Sequence, residues 1–132
     1  MKFMLMMNSP RGTGDWGIMK WPAEDLKAHI AFMKQFNEQL REAGQLVAAE
    51  GLASPAAARV VRAGKGGVPE VTDGPYAEGK EFLAGYWIID VETVEQAYRV
   101  AAAASAAPGP GGIVLKLPIE VREVMSAPPV EM

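Results

Sequence analysis

Cysteine is absent from the 132 residues, and histidine occurs once. The first absence excludes a disulfide framework, a thiolate zinc site and a cysteine nucleophile. The second excludes any metal site built on several imidazoles. Positive charge is not in excess either: 13 lysines and arginines against 16 aspartates and glutamates leave a net charge of −3, with no local basic cluster. Nothing in that balance draws nucleic acid or an anionic membrane surface. No apolar run approaches the roughly 20 residues of a membrane span. The motifs G-x-S-x-G, P-loop and H-E-x-x-H are also missing, so their chemistries carry no local signature here.

What is present is an ordinary globular composition, 49% hydrophobic and 22% charged, of a length that suits one core. The expected domain covers residues 1–126, with 127–132, containing Pro128-Pro129, as a flexible tail. The apolar opening Met1 to Met7 is too short for a secretory h-region, and Asn8-Ser9-Pro10-Arg11 offers no small-residue cleavage site. A cytoplasmic protein is the expectation.

Residues 2–7 read as a strand with bulk on both faces, Phe3, Leu5 and Met7 against Met4 and Met6. After a glycine-rich loop, Pro22 marks the first helical position, with Glu24 and Asp25 in the turn where the helix dipole favours negative charge. Leu26, His29, Met33, Phe36 and Leu40 form an apolar stripe, broadened by Ile30 and Phe32, and Gly44 is placed to terminate the helix. A short strand spans 46–49. Residues 58–62 and 68–72 form a hairpin about a glycine-rich turn, and 77–82 read as irregular. The strongest strand spans 83–91. Thr93 with Gln96 resembles a capping box opening a second helix, which Pro108-Gly109-Pro110 ends. Extended segments at 113–117 and 119–124 close the chain. The order predicts an α+β fold, ferredoxin-like βαββαβ with an inserted hairpin.

In that fold both helices cover one face of an antiparallel sheet, and the other face should be polar if water covers it. Residues 3–7 and Tyr86-Trp87-Ile88-Ile89 do not alternate in that way. A second copy of the chain is the economical cover for the remaining apolar surface, so a homodimer is expected.

Four features bear on chemistry. Gly12-Thr13-Gly14-Asp15-Trp16-Gly17 matches G-x-G-x-x-G. The helix starts beyond Trp21-Pro22, too late to aim its N-terminus at a dinucleotide pyrophosphate. The segment therefore reads as a loop over a pocket mouth, with Trp16 and Trp21 as apolar lids. His29 lies on the inward stripe, either as a structural histidine bonded to a carbonyl or as an acid/base group. Asp73-Gly74-Pro75 is first a turn, and its carboxylate could also orient His29 as a base. Tyr76 and Trp87 can shape an apolar substrate site.

The segment Val71-Thr72-Asp73-Gly74-Pro75-Tyr76-Ala77-Glu78-Gly79-Lys80-Glu81-Phe82-Leu83-Ala84-Gly85-Tyr86-Trp87 closely resembles the core motif of the DGPF-type YCII-related proteins, with Tyr76 in place of the family's phenylalanine. His29 and Ala49-Glu50-Gly51-Leu52 are similar to that family as well. The resemblance implies a dimeric α/β barrel, and relatives that include small-molecule acid/base enzymes and proteins linked to sigma factors. In the wider group a histidine on the first helix is proposed to pair with an aspartate before a proline at the end of the second. Here that position reads Ala107-Pro108, leaving Asp73 as the substitute carboxylate.

Two functions follow as expectations. One is an acid/base enzyme, with His29 and Asp73 catalytic and Trp16, Tyr76 and Trp87 lining a site for a small apolar or ring-containing molecule. It requires neither metal nor organic cofactor. The other is a non-catalytic small-ligand or regulatory module associated with transcriptional control.

Overall fold

The computed structural model describes residues 1–10, 20–74 and 81–125. The glycine-rich loop with Trp16, the position of Tyr76 and the expected tail at 127–132 lie outside the described residues. Strand β1 (Lys2–Pro10) leads to helix α1 (Ala23–Glu42) and strand β2 (Leu46–Gly51). The hairpin β3 (Arg59–Ala63) and β4 (Pro69–Asp73) precedes β5 (Glu81–Asp90), α2 (Val94–Ser105) and β6 (Ile119–Glu123). The main sheet has the order β2-β5-β1-β6, antiparallel throughout, while β3 and β4 pair only with each other. Two helices over this sheet make the α+β, ferredoxin-like arrangement expected from the sequence.

Local chemistry explains where the helices stop and start. Gly44, at φ +71°, donates to the Arg41 carbonyl while Gln45 donates to that of Leu40. These two bonds close the C-terminus of α1 in the Schellman pattern, whose left-handed residue is best supplied by glycine. At α2 the Thr93 hydroxyl accepts from the Gln96 amide, and the Gln96 side chain accepts from the amide of Glu92, one residue before the cap. The reciprocal box is thus displaced by one position. Pro22 precedes α1 instead of opening it, and its carbonyl accepts from Asp25 and Leu26.

The core lies on the helix-covered face. Phe3, Leu5 and Met7 of β1 and Trp87 and Ile89 of β5 pack with Phe36 and Leu40 of α1 and Ala97, Ala101 and Ala104 of α2. The small residues of α2 let that helix sit close to the sheet. On the opposite face Met4 lies across from Ile88 and Met6 across from Tyr86, all four half-buried.

Several features differ from the sequence expectation. β1 continues through Asn8-Ser9-Pro10 because β5 begins at Glu81 and pairs with it past a register shift after Met7. Pairing thereby converts two polar segments into strand. Segment 113–117 forms only an isolated bridge, Val114 with Pro108. Ile30 is 44% exposed, since it stands one helical step of about 100° from His29, off the inward stripe.

Leu5 has no exposed surface and lies at the centre of the core. Leu5→Ala is expected to lower stability by about 3 kcal/mol through lost burial and a residual cavity. Urea unfolding followed by circular dichroism checks this.

Candidate functional site

Helix α1 crosses the β2–β5 side of the sheet with His29, Met33 and Asn37 at successive turns of one face. Beneath them lies a cavity of about 280 Å³, open on one side, that these residues line together with Met7 and Trp87. Glu50 and Gly51, the last residues of β2, complete its edge against Gly85 of β5. Glycine suits position 85, since a Cβ there would sit 3.0 Å from the Glu50 carbonyl oxygen, a tight approach. Its absence lets β2 close against β5 at this edge.

His29 is 7% exposed. Its Nδ1 lies 3.0 Å from the carbonyl oxygen of Pro108, in the turn after α2. A carbonyl can only accept, so Nδ1 carries the proton and neutral His29 keeps a lone pair on Nε2. That nitrogen has no hydrogen-bond partner among the described residues. The indole of Trp21 meets the imidazole edge-on, with ring centroids 5.4 Å apart, and helps fix the plane of the ring. The imidazole is therefore held by a backbone bond and an aromatic contact.

Trp87 is also buried, edge-on to Phe36 at 5.6 Å between centroids. Its indole nitrogen donates to Asn37 Oδ1 at 2.7 Å. The bond joins the middle of α1 to the centre of β5 at the floor of the cavity. Met7 and Met33 add adaptable thioether walls. His29, Asn37 and Trp87 thus bring an imidazole, an amide and an apolar floor to one cavity.

The residues singled out from the sequence are distributed unequally. His29 and Trp87 line this one cavity. Asp73, at the end of β4, is not among its lining residues: its side chain is 95% exposed and stands 3.7 Å from Arg59 Nε. The partner of His29 is a backbone carbonyl instead. Trp16 and Tyr76 lie outside the described residues. Sequence reasoning missed Asn37; it offered a carbonyl partner for His29 as the structural alternative, without identifying Pro108 as its source. Pro108, whose carbonyl meets His29, follows Ala107, the position to which the family pattern points.

Among the described residues no three acidic, histidine or cysteine side chains gather where a metal ion could be held, and no helix is long and apolar enough to cross a membrane. The family model of the YCII-related domain matches residues 1–121. Among curated proteins, none matches the chain.

Trp87→Phe keeps the ring packing against Phe36 while removing the bond to Asn37. A loss of about 1 kcal/mol in unfolding free energy is expected, measurable by urea titration.

Proposed function

The chain belongs to the YCII-related domain family, and we propose that it binds a small hydroxylated ring compound beneath α1, with His29 exchanging a proton with that compound. The observation that carries this reading is the tether of His29. Its Nδ1–H is committed to the Pro108 carbonyl, and Nε2 is left without a protein partner among the described residues. A buried imidazole fixed in one tautomer beside an apolar cavity is what general acid/base catalysis needs geometrically. Trp87, Met7 and Met33 supply the apolar contact for a ring. Because only a proton moves, the step calls for neither metal nor organic cofactor.

His29→Asn tests the reading, because the asparagine amide can still donate to Pro108 while the Nε2 base is gone. Nε2 takes the hydroxyl proton, the exchanged imidazolium returns a deuteron to an ortho carbon of the phenoxide, and Nε2 then removes the original ring proton. Solvent deuterium is therefore expected to enter the ring positions ortho to the hydroxyl of a bound phenol in the wild-type protein. In His29→Asn the rate should fall by at least about 100-fold, with the melting temperature little changed. Nuclear magnetic resonance reads the exchange. No exchange in the wild-type protein despite binding would leave the second reading, a small-ligand or regulatory module linked to transcriptional control. One observation favours that alternative: a neutral carbonyl, not a carboxylate, holds Nδ1, which gives a transient imidazolium less electrostatic support.

The reading includes a second copy of the chain as cover for the open sheet face, the dimeric barrel form. Its support is the adjacent cross-strand pairs Met4–Ile88 and Met6–Tyr86, an apolar strip of a kind that soluble monomers seldom leave to water. Met6→Lys on that strip is expected to shift the mass in solution from two chains to one, by light scattering. A wild-type protein of one chain at working concentration rejects the dimer.

A further inference from the structure

We propose that Asn37 is a second recognition residue of this cavity, donating its amide N–H to a neutral carbonyl oxygen at the end of the ligand remote from His29. The inference rests on the His29 reading and narrows the ligand class to uncharged ring compounds with a hydroxyl at one end and a carbonyl at the other.

The orientation of the Asn37 amide follows from chemistry. An indole nitrogen only donates, so the atom 2.7 Å from Trp87 Nε1 must be the amide oxygen. The NH2 group is thereby turned away from the indole, with two donors to place. No hydrogen bond uses either donor among the described residues, and no side-chain nitrogen or oxygen there is both fully buried and unpartnered. The group therefore keeps access to open space, and the cavity is the space that Asn37 lines. An aspartate would accept from Trp87 equally well. What asparagine adds is the donor.

Spacing sets the length of the ligand. Residues 29, 33 and 37 stand at successive turns, so the two polar positions are about 12 Å apart along the helix axis. Met33 lies between them, with Met7 and Trp87 facing it from the sheet. One end of the cavity accepts a hydrogen bond, the middle is apolar, and the other end donates. Charge sets its ionisation: the described lining includes no lysine or arginine. A ligand carboxylate there would be desolvated with no cation to offset it, whereas a ketone, aldehyde or lactone carbonyl avoids that penalty.

The test compares three probes by isothermal titration calorimetry: 4′-hydroxyacetophenone, 4-ethylphenol, which lacks the carbonyl, and 4-hydroxybenzoate, which carries charge in its place. The wild-type protein is expected to bind the ketone about tenfold more tightly than the other two. Asn37→Asp should erase the margin over 4-ethylphenol while retaining the phenol binding, and the Trp87 indole N–H resonance should stay in its hydrogen-bonded position. Equal binding of ketone and ethylphenol, or a margin that survives Asn37→Asp, overturns the role of Asn37 and leaves the His29 reading standing. Equal binding of benzoate and ketone overturns the restriction to neutral ligands. Failure of both neutral phenols to bind, or undiminished binding by His29→Asn, overturns the His29 reading and this inference with it. If Asn37→Asp does not fold, the wild-type comparison decides alone.

Discussion

The pairing of β1 with β5 is the constraint from which the rest of the molecule follows. These are the two central strands, and their register sets Phe3 opposite Ile89, Leu5 opposite Trp87 and Met7 opposite Gly85. Because side chains alternate along a strand, this one register decides what each face of the sheet offers. The inward row becomes the core under both helices. Its last pair combines a long flexible side chain with none at all, so the core thins at that end, beside β2 and beneath α1. The cavity lies where the inward row runs out of bulk. The outward row places Met4 and Met6 beside Ile88 and Tyr86, the strip on which the proposed dimer rests.

Two hydrogen bonds then turn a thin place in the core into an ordered site. Trp87 to Asn37 connects the sheet to the middle of α1, and His29 to Pro108 connects the start of α1 to the turn after α2. Each bond uses one polar end of an otherwise apolar neighbourhood and satisfies it locally, which keeps the cost of burial low. Each also leaves a second polar atom over: Nε2 in one case and the amide NH2 in the other. Packing fixes where the cavity is, and the leftover atoms fix what it can recognise.

The helices, the long strand at 83–90 and their order could be read from the chain because they rest on periodicity, which is local. Phe36 and Leu40 announce their burial by spacing alone. Asn8 to Pro10 carry no strand signal and become strand only because Glu81, Phe82 and Leu83 lie alongside. The site was legible in part for the same reason. His29 stands out as the lone histidine on an apolar stripe, and Trp87 as an aromatic in the strongest strand. Asn37 looks like one more polar helix residue until a tryptophan 50 positions away comes to meet it. The Pro108 carbonyl, 79 positions from His29, had no signal to give, since every residue has a carbonyl. Asp73 illustrates the converse, a chemically plausible residue whose address depends on how an inserted hairpin is carried.

The position before Pro108 is an alanine, 1% exposed, and it brings no charge to the turn whose carbonyl accepts the His29 Nδ1–H bond. That carbonyl selects the tautomer and aims the ring. Nε2 is left without a partner among the described residues, beside a cavity whose described lining has no lysine or arginine. On the reading proposed above, a histidine arranged in this way meets a hydroxyl and holds a proton briefly, and the lack of a lysine or arginine in the described lining disfavours an anionic ligand.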